Sequence, residues 1–214
     1  MPTPAHRHLH ALRLAHTCAE LGARVRTIGY LTRLPHRELV RLFFADPQAI
    51  PRGRPPDSPE WYHSANVLFR AAASIFAVRY HRLRQGQFPP TEALISSYRH
   101  YLRVCEQHPR ISFDRAFDLA SHLDGIWIAD SKSFSIAVCP HCGSEHLVAV
   151  GGPHVQSSGC PFCKIIQRFR ADPRVQTSFP LPPLADPAQI VVGIDLLMDL
   201  QREGDGDIPP KTPE

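Results

Sequence analysis

The chain has 214 residues, of which 43% are hydrophobic, and its formal net charge is +4. A chain of this length can form one or two domains and bury a substantial core. No stretch approaches the roughly 20 consecutive apolar residues of a membrane-spanning helix, and residues 2–10 are polar and histidine-rich, unlike a secretory signal. We therefore predict a cytoplasmic protein without a membrane partner, in a compartment where thiols stay reduced.

Three short helices are predicted at the N-terminus. Apolar residues recur at helical spacing over residues 9–21, and Gly22 is a plausible end to that helix. Two shorter helices follow, separated by a turn at residues 32–34, with Pro35 suited to the first position of the second helix. Their apolar faces are formed by Val25, Ile28 and Leu31 and by Leu39, Leu42 and Phe43.

Residues 24–44 thus have the organisation of a helix-turn-helix whose second helix begins with basic side chains. Arginine supplies 21 of the 24 basic residues of the chain, and arginine is well suited to phosphates and guanine edges. A packed helical hairpin with a solvated basic face would give the same pattern without binding DNA. The charge pattern nominates these DNA contacts: Arg24, Arg26, Arg33, His36, Arg37 and Arg41.

Three longer helices are predicted after a proline-rich loop at residues 46–59. The first runs from about residue 61 to residue 84, with Ser58 as its cap. The second begins at Thr91 and ends before Pro109, and the third begins at Ser112 and reaches Trp127. Aromatic residues at helical spacing in these segments indicate core packing. Residues 1–130 are therefore predicted to form a mainly α-helical domain.

Four of the six cysteines form two pairs, Cys139-Pro-His-Cys142 and, after seventeen residues, Cys160-Pro-Phe-Cys163. Two C-x-x-C pairs at this separation are typical of a four-cysteine zinc site. Four thiolates complete the tetrahedral shell of Zn²⁺ and leave no position for a substrate water. Flanking β-type runs with glycines at the bends predict a small zinc ribbon over residues 131–171, with one structural zinc ion per chain.

Paired cysteines also occur in redox sites, zinc deaminases and iron sites. A C-x-x-C thiolate is the redox site of thioredoxin-like oxidants, but no βαβ pattern surrounds these pairs. Zinc deaminases need an upstream His-x-Glu, which the sequence lacks. A rubredoxin-like iron site uses the same ligands and stays open. His141, His146 and His154 are predicted to surround the site rather than bind the metal, while Cys18 and Cys105 are predicted to be small core residues.

Residues 172–214 are predicted to form a proline-rich linker, an amphipathic helix beginning near Asp186 and a disordered tail from about Gly204. The chain has no glycine-rich phosphate loop, no carboxylate pair arranged as acid and base, and no Ser-His-Asp constellation. We therefore predict that the protein is not an enzyme.

Several segments, in order, resemble the FlhC family, a subunit of the bacterial flagellar master transcription activator. They are Leu21-Gly-Ala-Arg24, residues 33–42, Ser58-Pro-Glu-Trp61, residues 93–102, residues 113–117 and the two cysteine pairs. The resemblance covers about residues 10–170, and the sequence beyond about residue 174 does not resemble the family.

The resemblance implies a mainly helical body with a C-terminal zinc site formed by Cys139, Cys142, Cys160 and Cys163. It also implies a complex with a small helical partner, FlhD, that binds promoter DNA and recruits RNA polymerase to flagellar operons. The predicted function is that of a DNA-binding activator subunit. The alternatives are a zinc-ribbon module that binds protein or RNA without promoter specificity, and a C-x-x-C thiol-disulfide oxidoreductase.

Overall fold

The computed structural model describes residues 3–44, 60–106, 108–150, 159–169 and 171–178. The residues in these ranges belong to one compact unit. None of the helices in the described ranges has the length and apolar character needed to cross a membrane. The elements in these ranges are helices α1 (Pro4–Glu20), α2 (Val25–Thr32), α3 (His36–Phe43), α4 (Glu60–Ser64), α5 (Val67–Gln85), α6 (Pro90–Val104) and α7 (Phe113–Asp124), strands β1 (Phe134–Val138) and β2 (Glu145–Ala149), and helices α8 (Pro161–Phe169) and α9 (Pro173–Ser178).

Helix α1 begins five residues before its predicted start at residue 9. The Thr3 hydroxyl accepts a hydrogen bond from the backbone N–H of His6 at 3.3 Å, and Pro4 occupies the first turn. Both features favour a helix start. The residues of this extra turn are exposed, so hydrophobic periodicity gave no signal there. Its start is therefore set by capping rather than by packing.

Helices α2 and α3 lie close to their predicted positions, but the turn between them is shifted by one residue from the predicted 32–34. The turn comprises residues 33–35, because Pro35 lies at the N-cap position just before α3 instead of at the first position of the helix. Arg33 ends α2 in the left-handed conformation, with φ of 60°. Inward-facing Val25, Ile28 and Leu39 join the core. Leu42, predicted to lie on the apolar face of α3, is instead 46% exposed. The assignment of this pair as a DNA-reading helix-turn-helix stays a prediction.

The single helix predicted from about residue 61 to residue 84 was wrong, because the structure divides it into α4 and α5. The side chain of Asn66 accepts hydrogen bonds from the backbone N–H groups of Leu68 and Phe69, both at 3.0 Å. This Asn cap begins a new helix and ends the previous one. The predicted cap at Ser58 lies outside the described residues.

Helix α5 is the centre of the fold, since α6, α7, α8 and both strands contact it. Its inward surface combines the large side chains of Phe76 and Tyr80 with a run of buried small residues at 71–74. Small residues let neighbouring backbones approach closely, so one helix can serve several neighbours. The core predicted from aromatic residues at helical spacing is thus present.

Helix α7 lies deep in the fold: all of its 12 residues except Arg115 and Asp124 are buried. It ends three residues before the predicted end at Trp127, because Gly125 adopts the left-handed conformation with φ of 68°. A Cβ at this position would lie 3.3 Å from the carbonyl carbon of Ser131, which also favours glycine.

Strands β1 and β2 form an antiparallel sheet that pairs Phe134 with Ala149 and Val138 with Glu145. Phe134 and Leu147 belong to the same core as the helices. The Tyr62 hydroxyl donates a hydrogen bond to the Leu147 carbonyl at 2.8 Å, and the Leu147 N–H donates to the Ser74 hydroxyl at 3.2 Å. The sheet is thus attached to α4 and α5 by packing and hydrogen bonds.

The last described residues differ from the predicted linker. Helix α9 occupies residues 173–178, and the Asp172 carboxylate accepts a hydrogen bond from the Arg174 N–H at 3.0 Å at its start. The amphipathic helix and tail predicted for residues 179–214 lie outside the described residues. The division into domains 1–130, 131–171 and 172–214 stays a prediction.

Candidate metal centre and basic helix pair

The structure brings the four paired cysteines together. Their four sulfur atoms lie within 4.8 Å of one another. The Sγ atoms of Cys139 and Cys163 are 3.8 Å apart, as are those of Cys142 and Cys160. A tetrahedron with metal–sulfur bonds of about 2.3 Å has edges of about 3.8 Å. The cluster therefore has the size of a four-thiolate metal site, and the donor set fits zinc.

The first cysteine pair lies in the turn that joins β1 to β2. The Cys139 N–H donates to the Ser144 carbonyl at 2.9 Å, and the Gly143 N–H donates to the Cys139 carbonyl at 2.9 Å. Gly143 has φ of 70°, in the left-handed region that favours glycine. This hydrogen-bonded turn directs both sulfur atoms of the pair to the same side.

The second cysteine pair lies at the start of α8. Cys160 immediately precedes the helix and Cys163 occupies its first turn, where the Lys164 N–H donates to the Cys160 carbonyl at 3.2 Å. Because α8 packs on α5, this pair is fixed to the helical body. The predicted ribbon thus consists of a two-stranded sheet and a helix.

The thiols have unequal environments. Cys139 and Cys160 are buried, whereas Cys142 is exposed. Hydrogen bonding with Ser144 lowers the pKa of the Cys142 thiol to about 6. Hydrogen bonding to Cys142, with burial, raises the pKa of the Cys163 thiol to about 12. A divalent cation bound to the four sulfurs would neutralise the charge of neighbouring thiolates.

The nearby histidines occupy different environments. His141 is exposed within the first turn. His146 is only 2% exposed, and burial lowers the pKa of its imidazole. His154 lies outside the described residues. Neither described histidine is part of the metal-ligating cluster, which contains only the cysteines.

The basic face of α2 and α3 is the second candidate site. His36, Arg37 and Arg41 are exposed on α3, and Arg33 is exposed in the turn before it. Helix α3 packs on the core through buried Leu39, and Oε1 of its Glu38 lies 3.4 Å from Nε2 of His8 on α1. The outward side of α3 is therefore free to contact a ligand.

Two predicted DNA contacts interact with neighbouring side chains. The Arg24 side chain is 22% exposed, and its Nε atom lies 3.6 Å from Oδ2 of Asp114. An Nη atom of Arg26 donates to the Tyr30 hydroxyl at 3.4 Å, and its guanidinium lies over the Tyr30 ring. Arg24 therefore contributes to packing of the helix pair, and Arg26 stays exposed beside an aromatic ring.

Asp114 of α7 holds the start of α2, a role that was not predicted from the sequence. Its Oδ1 accepts hydrogen bonds from the Arg24 N–H at 3.1 Å and from the Thr27 hydroxyl at 2.6 Å. A carboxylate near a helix N-terminus also interacts favourably with the helix dipole. Asp114 is 4% exposed, and no short motif signals it, because its partners lie 87 and 90 residues away.

Comparison with known proteins gives a consistent result. The family model for the flagellar transcriptional activator FlhC matches residues 6–175. The flagellar transcriptional regulator FlhC of Sodalis glossinidius is 28% identical over 158 residues, covering 71% of this chain and 76% of that protein. Its namesake in Serratia marcescens is 24% identical over 178 residues, covering 79% and 88%. That of Cupriavidus metallidurans is 27% identical over 144 residues, covering 65% and 64%.

Proposed function

This chain belongs to the FlhC family of flagellar transcriptional activators, and from this premise we propose that it binds promoter DNA as one subunit of a heteromeric activator complex. The observation that carries the proposal is the family match over residues 6–175, which includes the α2–α3 pair and all four paired cysteines. The relatives are named transcriptional regulators, which supports a regulatory rather than an enzymatic role.

The DNA-reading surface in this proposal is the exposed side of α3. His36, Arg37 and Arg41 would approach base edges from the N-terminal half of the helix and its next turn, as in other helix-turn-helix proteins. Arg26 and Arg33 would neutralise phosphates and fix the register of the pair on the duplex. Arg24 would contribute to DNA binding indirectly, because its contact with Asp114 holds α2 in place.

The metal in this proposal is a structural zinc ion bound by Cys139, Cys142, Cys160 and Cys163. Support comes from the all-sulfur donor set and from the edge lengths of the cluster. Zinc bound to four thiolates has no open position for substrate, so its role would be to join the β1–β2 turn to α8. The convergence of both pairs on one point also argues against a separate redox site at Cys139 and Cys142.

The partner in this proposal is a small helical subunit of the FlhD type, with which the chain would act in the cytoplasm and recruit RNA polymerase. Exposed apolar side chains are available for such contacts, among them Leu42 on α3 and Val104 at the end of α6. Val138 and Ile166, near the cysteines, are 62% and 69% exposed. They favour, as a second candidate, a protein-binding role for the cysteine module alone, that is, for β1, β2 and α8 with the four paired cysteines.

The test is promoter binding by the full-length chain with its natural partner subunit. Arg37→Ala and Arg41→Ala should each weaken binding to a flagellar promoter duplex by about 1–3 kcal/mol if they contact bases, and should lower the preference over an unrelated duplex of the same length. Fluorescence anisotropy measures both affinities. Lys132→Ala removes an exposed cation from the loop after α7 and serves as the matched control.

Size-exclusion chromatography should show an intact partner complex for all three variants. If Arg37→Ala and Arg41→Ala keep the promoter affinity and preference of the unsubstituted chain, the DNA-reading surface is not on α3. If the unsubstituted complex binds neither duplex while retaining its metal, the protein-binding role of the cysteine module replaces the proposal.

A further inference from the structure

A second basic surface lies between α1, α5 and α6. None of its residues belongs to the predicted metal ligands or DNA contacts. It is a groove of about 450 Å³. Leu14 of α1 and buried Ile95 of α6 contribute its apolar lining. Its basic lining residues come from two helices: Arg79 from α5, and Arg99, His100 and Arg103 from α6.

The lining of this groove follows from helix geometry. On α6, Glu92, Ser96, Arg99, His100 and Arg103 recur at spacings of three and four residues, which place side chains on one face of a helix. This face is the outward side of a helix whose opposite side includes buried Leu94, Tyr98 and Tyr101. The basic groups are therefore fixed to a well-packed helix, which limits the freedom they would lose on binding a ligand.

The charge of the groove is unbalanced. Among the described residues that line it, Glu92 is the only acidic one, against three arginines and one histidine. In the described part of the chain, the side chains of Arg79, Arg99 and Arg103 form no hydrogen bond and no ion pair. Arginines clustered in this way repel one another, so an anion bound in the groove would be stabilised.

The surface continues along α1 toward the helix pair. A neighbouring groove of about 780 Å³ shares Leu14 and is lined by His6, Arg7, His10 and Arg13. It reaches Thr32, the last residue of α2, next to the turn that contains Arg33. The two grooves thus form a basic band that leads from the α2–α3 turn, past α1, to α6.

We propose that this band, and the Arg79–Arg99–Arg103 groove in particular, binds backbone phosphates of duplex DNA whose bases are contacted by α3. The inference rests on the proposed function and extends it to a second contact surface. Arginine is the residue suited to forked hydrogen bonds with phosphate, and the hydroxyls of Thr17 and Ser96 also line the groove. Side-chain hydroxyls commonly join arginine in contacts to the DNA backbone.

The experiment is a salt titration of duplex binding by the full-length chain with its partner subunit. The double variant Arg99→Gln and Arg103→Gln should bind a flagellar promoter duplex and an unrelated duplex more weakly by the same factor. The slope of log affinity against log salt, measured between about 50 and 200 mM, should fall by roughly 0.9 for each phosphate that is no longer neutralised, so by about 1.8 for the double variant. Arg103→Gln alone should give about half that change.

Two controls separate the groove from general charge effects. Lys132→Gln removes one exposed cation outside the groove and should keep the slope of the unsubstituted chain. Glu92→Gln removes the carboxylate within the groove and should strengthen binding to both duplexes. Unchanged thermal unfolding midpoints of the four variants would show that the fold is intact.

The outcomes distinguish the two proposals. An unchanged slope and affinity in the folded double variant would overturn the groove inference while leaving DNA reading by α3 in place. Loss of the partner subunit from the double variant, with DNA affinity retained by the remaining complex, would overturn it in favour of an acidic protein surface. If the unsubstituted complex binds no duplex, the proposed function itself fails.

Discussion

The cysteine module and the α2–α3 pair are held in place by different means. In the cysteine module, two short segments bring their four sulfur atoms within 4.8 Å of one another. A single ion bound to these atoms would connect the two segments. The α2–α3 pair has only two helices of eight residues each, so it relies on contacts with α1 and α7. The module thus adds a local metal site to its packing on α4 and α5, whereas the helix pair is held by packing and hydrogen bonds with distant parts of the chain.

Helix α7 is the element that both regions share. Near its start, Asp114 accepts hydrogen bonds from Arg24 and Thr27 of the helix pair. Near its end, the His122 carbonyl accepts a hydrogen bond from the Ser133 N–H at 2.9 Å, one residue before β1. Because α7 is almost entirely buried, it can hold both the helix pair and the cysteine module in place. A substitution at the start of α7 should affect the helix pair, and one at its end should affect the cysteine module.

The largest expected effect comes from the metal ligands. In the double variant Cys139→Ser and Cys160→Ser we expect loss of the metal and unfolding of β1, β2 and α8, because structural zinc supplies roughly 10–16 kcal/mol of apparent binding free energy in small peptides. Metal content by plasma mass spectrometry and amide hydrogen exchange measure the two effects. Exchange in α2 should stay slow if the two regions are held independently.

Cys105→Ser is the control, since this half-buried cysteine lies outside the cluster. It should retain one metal ion per chain. Zinc and iron are distinguished in the same samples, because an iron–thiolate centre absorbs visible light and zinc does not. Full metal content together with full promoter activation in the double serine variant would refute the structural role.

The cysteine site could be predicted from sequence because its chemistry is local. Two spacings, Cys139 to Cys142 and Cys160 to Cys163, specify the ligands, and the turn at Gly143 fits them. Helices α1, α2, α3, α6 and α7 were predicted from hydrophobic periodicity, whereas α4 and α5 were predicted as one helix and α8, which packs on α5, was not predicted. Asn66 illustrates a local signal that was present but overlooked, since an Asn cap inside a predicted helix marks a new start.

The support of the α2–α3 pair could not be predicted in this way. Asp114 appeared in the sequence as one acidic residue in the first turn of a helix, where such residues are common. Its partners, Arg24 and Thr27, are brought next to it only by the packing of α7 against α2. Exposure of Arg37 and partial burial of Arg24 follow from the same placement, so charge alone could not divide the nominated arginines into binding and packing residues.

The second expected effect concerns Asp114. Asp114→Ala removes the acceptor of the Arg24 N–H and the Thr27 hydroxyl, and leaving a buried donor unsatisfied costs about 1–3 kcal/mol. We expect a lower free energy of unfolding in urea, faster hydrogen exchange at the start of α2 and weaker promoter binding. Metal content should be unchanged, which would separate the helix pair from the cysteine module.

Asp130→Ala serves as a control, because this acidic residue is exposed after α7. Asp114→Asn keeps an acceptor oxygen and should lose less stability than the alanine variant. Equal exchange rates at α2 in Asp114→Ala and in the unsubstituted chain would mean that α1 alone positions the helix pair, and the shared-support model would then fail.

The smallest expected effect is the pH dependence of the other end of α7. Burial lowers the pKa of His122 below its usual range, so the folded protein favours the neutral imidazole although Oδ1 of Asp118 lies 3.7 Å from its Nε2. Below the unfolded pKa of about 6.5, the unfolded chain binds this proton more readily. Stability should therefore fall as the pH decreases below about 6.5, by at most about 1.4 kcal/mol per pH unit for this one group.

The measurement is urea unfolding of the zinc-saturated chain and of His122→Gln at several pH values from neutral to mildly acidic. The 12 remaining of the 13 histidines are common to both proteins, so their shared contribution cancels in the difference between the two curves. Above the unfolded pKa of histidine that difference should be constant, and it should shrink as the pH falls, because only the unsubstituted chain must keep a buried imidazole neutral. A difference that grows with acidity would mean that Asp118 stabilises a protonated His122 through an ion pair within α7 that acid strengthens.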